Sequence, residues 1–290
     1  MVDLTPEFVT VNNIRMHLVT ASPTKGPLVI LLHGFPEFWL CWQHQLPVLA
    51  EAGYRVVAPD QRGYNTTDKT PPYDLVTLTD DIIALIQHFG RETATIVGHD
   101  WGGAVAWYLA MRVPQMVERL IILNAPHGLT FRDVLRRSPK QMLKSWYMFA
   151  FQLKLMDGLL QRNDFRVMAR MLTQTGAAGL FEPDLPVYRE AWSQPGAVPA
   201  MVGWYRAMFK PMARQVEVRP KIIRPTLLIW GTGDRFLGVD LAEGCRRWVP
   251  DLQLELLPGV SHWVPQEAAD EVNRLMLDFL DKPAPTPAPA

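Results

Sequence analysis

Asp100 stands between Gly98 and Gly102 in the run TIVGHDWGGAVAWYLA, directly after an apolar stretch and directly before a segment of good helix formers. This is the strand–tight turn–helix setting of a nucleophile elbow, G-x-S-x-G, with Asp in place of Ser. The glycines matter because the turn is cramped: side chains two residues before or after its centre would collide with neighbouring backbone. The central side chain is thereby exposed at a helix start, where N–H groups and the helix dipole stabilise an anion. A carboxylate is a poor acyl-transfer nucleophile, but it suits displacement at a saturated carbon such as that of an epoxide or alkyl halide. The ester so formed is then hydrolysed at the enzyme's own carboxyl carbon. Read alone, Asp100 could be a plain helix N-cap. Its partners argue otherwise.

On such elbows the partners follow the nucleophile along the chain in the order acid, then base. Asp234 lies in WGTGD, just past the apolar run PTLLIWG, and His262 lies in VSHW, after DLQLELLPG and before QEAADEVNRLMLDFL. The run VERLIILN ends in Asn124, which cannot serve as a carboxylate, so Asp234 is the better acid. Of the other histidines, His17 falls in an edge hairpin, His44 and His88 in helices and His127 after the VERLIILN strand; His33 and His99 flank the motif turns as loop braces. HGFPEFW, following PLVILLHG, occupies the place where a loop lends one backbone N–H to an oxyanion hole, the second coming from the residue after the nucleophile. The donors are then the amides of Phe35 and Trp101. They act when water attacks the ester and charge develops on the former carboxyl oxygen. Pro36 makes this loop rigid.

The elements that must hold these residues read as an alternation. EFVTVNN and IRMHLVTA form two strands joined through Asn12 and Asn13, which tolerate positive φ. PLVILLHG, YRVVAPD, TATIVGHD, VERLIILN, PTLLIWG and DLQLELLPG follow, the first of them continuously apolar as expected of a strand buried on both faces. Between them lie amphipathic stretches such as DLVTLTDDIIALIQHF. Strand alternating with helix predicts an α/β architecture, a mostly parallel eight-stranded sheet flanked by helices. Between about His127 and Arg219 no buried strand is visible, and the segment is rich in Met, Trp, Tyr, Phe and Arg. It reads as a helical insertion, a cap over the carboxyl ends of the strands. The expected division is core over 1–128, cap over 129–218, core again over 219–282, and a disordered Pro/Ala tail over 283–290.

The 290 residues are 48% hydrophobic and 20% charged, with 29 Lys and Arg against 29 Asp and Glu. Zero net charge gives no electrostatic reason to expect nucleic acid or an anionic membrane as partner. No apolar run approaches bilayer length and no leader is visible at the N-terminus, so a cytoplasmic protein is expected. Cys41 and Cys245 are expected as reduced thiols. No His/Cys/Asp cluster has metal-ligand spacing, and neither metal nor cofactor is expected.

With HGFPEFW, DQRGYNTTDK, GHDWGG, WGTGD and GVSHW in this order across nearly the whole chain, the sequence resembles the soluble epoxide hydrolases of the α/β-hydrolase superfamily. The resemblance implies an α/β-hydrolase fold with a helical cap, and two cap tyrosines that donate to the epoxide oxygen. WYMFAFQ matches the first with Tyr147, and GWYRAMF the second with Tyr205, although Met148 leaves no polar partner beside Tyr147. An alkoxide is too basic to leave unaided, whereas a halide wants only weak donors. The tyrosines therefore favour epoxide opening over the alternative, a haloalkane or haloacid dehalogenase using the same Asp. A receptor on this fold would show a damaged catalytic set, and a serine esterase would need a Ser elbow. The motif aromatics Trp146, Phe149, Phe151 and Trp263, with His33 and Pro36, are expected to line an apolar pocket for apolar or aryl-substituted epoxides. Partners are substrate and water, with the protein a monomer or homodimer.

Overall fold

The computed structural model describes residues 2–21, 25–212 and 214–282; the stretch 283–290, expected to be disordered, lies outside them. The eight strands expected from the sequence are β1 (Leu4–Val11), β2 (Ile14–Ala21), β3 (Leu28–Leu32), β4 (Arg55–Pro59), β5 (Ala94–His99), β6 (Val117–Leu123), β7 (Thr226–Gly231) and β8 (Leu252–Leu257). They form one sheet in the order β1-β2-β4-β3-β5-β6-β7-β8. β1 and β2 pair antiparallel, as do β2 and β4, and all later pairings are parallel. The β1–β2 hairpin turns through Asn12 and Asn13 at φ +44° and +62°, conformations that Asn tolerates better than most residues.

The helices are α1 (Gln45–Glu51), α2 (Leu75–His88), α3 (Trp101–Arg112), α4 (Gly128–Arg137), α5 (Pro139–Lys144), α6 (Trp146–Ala150), α7 (Leu155–Thr175), α8 (Leu185–Ser193), α9 (Ala197–Ala207), α10 (Val239–Gly244), α11 (Val264–Glu267) and α12 (Ala269–Leu280). Strand side chains alternate between faces. In β3, Val29 and Leu31 pack with α1 and α12, while Leu28, Ile30 and Leu32 pack with α2 and α3. Both faces are therefore buried, and the continuous apolar run is explained. Helix α2 starts where the Asp74 carboxylate accepts the N–H groups of Val76 and Thr77, a cap worth about 1 kcal/mol. Its Leu78, Ile82, Leu85 and Ile86 form the buried stripe. Cys41 and Cys245 are free and buried, and they lie in the layers on opposite faces of the sheet. A bridge between them is sterically excluded.

Six helices, α4 to α9, intervene between β6 and β7, which is the insertion the sequence predicts. Their inner side chains, among them Phe151, Leu172, Trp192 and Trp204, join the core layer on the α3 face of the sheet. Trp204 donates from its indole to the Arg62 carbonyl at 3.0 Å, and Trp192 to the Pro36 carbonyl at 2.6 Å. Each large ring thus buries its surface and still satisfies its one donor.

Candidate active site

β5 ends at His99 and α3 begins at Trp101, leaving Asp100 alone to make the turn, at φ +50° and ψ −118°. Few L-residues adopt such a conformation unless the surroundings impose it. Here they do. A Cβ on Gly98 would sit 2.4 Å from the Gly102 carbonyl oxygen, and one on Gly102 would sit 2.1 Å from the Leu32 oxygen. Gly34 carries the same constraint from the facing loop, since a Cβ there would come within 2.4 Å of the Asp100 Cβ. The sheet, loop and helix can only close this tightly because those positions are bare.

The Phe35 amide donates to Asp100 Oδ1 at 2.9 Å. On the other side of the carboxylate, His262 Nε2 lies 3.5 Å from Oδ2. His262 Nδ1 and Asp234 Oδ2 are 2.7 Å apart. Asp234 is held in turn by the amides of Phe236 and Leu237, at 2.6 and 2.8 Å, and by Asn124 Nδ2 at 2.7 Å. Burial pushes the Asp100 carboxyl up, but His262, the charge of His99 and the Phe35 amide outweigh it, so the net displacement is downward. Asp234 is lowered for the same kind of reason, against burial, by His262, Asn124 and the Leu237 amide. Burial works against charge on His262 too, but the two carboxylates overcome it and raise its pKa to about 10.

Tyr147 and Tyr205 stand over this group with ring centroids 6.0 Å apart. Tyr205 packs edge-on against Phe35, Trp101 and Phe151, and Tyr147 against Phe151 and Phe236. Burial, and then the nearby anions, hold both phenols well above their usual pKa. A cavity of about 160 Å³ opens on one side of Asp100 and Tyr147, lined by apolar groups including Trp101, Phe131, Met148, Met208 and Leu237. A second space of about 10 Å³ lies on the other side of the same two residues, between Phe35, Tyr205, Phe236, His262 and Trp263.

The α/β-hydrolase fold family matches residues 27–269. The chain is 43% identical over 279 residues to "AB hydrolase superfamily protein YfhM" of Bacillus subtilis, covering 94% of this chain and 97% of that protein. It is 38% identical over 280 residues to "Epoxide hydrolase 4" of Homo sapiens, covering 93% and 76%. A crystal structure of the Bacillus megaterium epoxide hydrolase with an inhibitor superposes at TM-score 0.87 with 30% identity, over 95% of this chain and 100% of that one. The chain belongs to the epoxide hydrolases of the α/β-hydrolase superfamily.

Not every residue expected in the pocket of this epoxide hydrolase is there. Trp146 and Phe149 are 63% and 48% exposed and face outward. The reason is helical geometry: in the short α6, Tyr147 and Phe151 lie one turn apart and take the inner face, which turns Trp146 and Phe149 away. His33 and Pro36 are buried behind the loop and not in the cavity wall. His33 Nδ1 faces the Gly34 carbonyl at 3.0 Å while Nε2 accepts the Gln61 N–H at 3.0 Å, so the ring is neutral with its proton on Nδ1; burial also lowers its pKa. It braces the loop, as the sequence suggested for His33 and His99. Phe151 and Trp263 do pack about the site.

The structure also adds contacts that no motif reading assigned. Asn124, dismissed as an acid, uses both ends of its amide: Nδ2 holds Asp234, and Oδ1 accepts the Gly231 N–H at 2.8 Å. Lys144 donates to the Asp234 carbonyl at 2.7 Å, tying α5 to the acid loop. His99 Nε2 approaches the His262 carbonyl at 2.9 Å, and its Nδ1 lies 3.2 Å from the buried Glu37 carboxylate. Among the described residues no cluster of His, Cys, Asp and Glu could hold a metal ion.

Proposed function

We propose that this chain converts apolar or aryl-substituted epoxides to vicinal diols through an ester formed on Asp100. What carries the reading is one convergence: Asp100, His262 and two phenols border the same small space, with Asp234 behind the imidazole. The Asp100 carboxylate attacks a ring carbon from behind, and the carbon–oxygen bond of the ring breaks. The departing oxygen takes its proton from Tyr147 or Tyr205, which stay protonated at neutral pH because burial holds their pKa values high. Alkylation neutralises Asp100. One of the two anions that raise His262 is then gone, so the imidazolium gives up its proton, which restores the phenolate to a phenol, and the neutral ring becomes a base. It takes a proton from a water in the space of about 10 Å³, close to the least volume a water occupies. The hydroxide adds to the Asp100 carboxyl carbon, the Phe35 and Trp101 amides hold the oxyanion, and as the tetrahedral intermediate collapses to the carboxylate His262 returns its proton to the departing alkoxide, which leaves as the diol. The apolar wall of the larger cavity supports an apolar or aryl substituent.

In the His262→Gln variant the first half-reaction proceeds and the second stalls. Intact-mass measurement after mixing with styrene oxide should show the chain heavier by one substrate; an unchanged mass would sink the scheme. Halide release from an alkyl halide on the same preparation would instead favour the dehalogenase reading.

A further inference from the structure

Sixteen large apolar side chains stand exposed among the described residues, and nine of them fall within 142–155 and 208–212. Leu143 lies near the end of α5, Trp146 and Phe149 lie one turn apart on α6, and Leu153 follows it, all exposed. The rings of Phe149 and Phe209 stack at 5.6 Å, and Arg206 joins the end of α9 to the carbonyls of Phe151 and Leu153. The result is one apolar surface, in which Leu143 is 74% and Leu155 66% exposed. Monomeric proteins seldom leave contiguous apolar surface of this kind in water without a use for it.

The surroundings of this surface are basic. Lys140, Lys154 and Lys210 are exposed, and no carboxylate pairs with them among the described residues. Residues 129–218 hold 13 Lys and Arg against 7 Asp and Glu, while the rest of the chain holds 16 against 22. The zero net charge of the whole is therefore a cap of +6 balanced by a core of −6. That local excess gives an anionic surface something to attract that the total alone does not show. A second copy meeting this face across a two-fold axis would set like charge against like. An anionic phospholipid surface supplies the opposite charge together with an apolar layer. The location also fits, because Met148 and Met208 line the larger cavity and their chain neighbours Phe149 and Phe209 form the outer stack.

We propose that this face of the cap seats the protein on anionic phospholipid, with its aromatic and leucine side chains at headgroup depth and the cavity mouth turned toward the acyl chains. The docking stands on the surface alone; that it delivers an apolar epoxide from the lipid rests on the function proposed above. The full chain is centrifuged with large unilamellar vesicles of phosphatidylcholine, with or without phosphatidylglycerol. The bound fraction should rise with phosphatidylglycerol and fall with added salt. Lys140→Glu combined with Lys154→Glu should weaken partitioning by at least about tenfold, at roughly fivefold per basic charge near the surface. Leu143→Ser with Leu155→Ser should weaken it as well, both pairs keeping the wild-type thermal unfolding profile. Equal binding to both vesicle types, or binding untouched by either pair, would overturn the proposal. So would a concentration-dependent dimer, seen by sedimentation velocity, that the leucine changes abolish. Epoxide turnover is measured separately, so its absence would count against the activity and leave the docking standing.

Discussion

In the proposed reaction each cap tyrosine must stay protonated until an alkoxide forms beside it, and then surrender its proton at once. Burial answers the first demand, because a phenolate among Phe35, Trp101 and Phe151 would be poorly solvated and would face Asp100. Proximity answers the second. Both rings border the small space beside Asp100, so single hydroxyl removals should each be partly tolerated. The double variant Tyr147→Phe with Tyr205→Phe should lose about 10²–10⁴-fold in the rate of ester formation. Single-turnover measurement of adduct formation tests this, and a near-normal rate would remove both residues from the reaction. At this scale the sequence was informative where a motif fixes a residue's neighbours, as around Asp100, Asp234 and His262. It was uninformative where the partner is remote: Asn124 meets Asp234 across 110 positions, and nothing local to VERLIILN announces it.

That amide belongs to the junction between two strands. Asn124, at the end of β6, accepts from the Gly231 N–H at the end of β7 and donates to the acid that follows β7. One side chain thus sets the spacing of two strand ends and the posture of the carboxylate. Asn124→Ala should leave Gly231 without its acceptor and Asp234 short of a donor, costing about 1–3 kcal/mol for the buried group left unpaired. Denaturant unfolding measures the loss, and hydrolysis of the ester should slow more than its formation. Equal slowing of both steps would show that Asn124 acts on the elbow and not on the acid. The strands themselves were legible because strand-like runs bounded by Gly, Pro, Asp and Asn recur eight times, and burial on both faces explains why those of β3 to β7 do not alternate. Helix α6 was not legible. Its five residues WYMFA are apolar or aromatic throughout, so composition carries no mark of which side faces inward, and only the packing of Tyr147 against Phe236 decides it.

Across the whole molecule the buried charges at the site couple stability to pH. His262 holds its proton up to about 10 in the folded chain, against 6.5 for an ordinary histidine. Its contribution is therefore complete below about pH 6.5 and lost as pH rises toward about 10. Asp100 and Asp234 have the opposite sign: lowered when folded, they stabilise above the ordinary carboxylate range and cease to do so as acid protonates them. The thermal midpoint of the native chain should exceed that of His262→Gln most clearly at and just below about pH 6.5, with the gap closing toward about pH 10. A gap that stays constant over that range would mean the histidine carries no extra charge in the fold. Overall architecture was readable from strand–helix alternation, since each crossover leaves its own periodic signature. The segregation of charge between cap and core was hidden, because totals of 29 and 29 erase it. Yet both layers and the cap bear on a single bend. The bare positions at 98 and 102 serve its backbone whatever group it displays, and Gly34 alone faces that group. The scaffold is in that sense a tool holder, gripping the shank while the cutting edge stays exchangeable, and a lineage could trade one reactive side chain for another there while the grip endures.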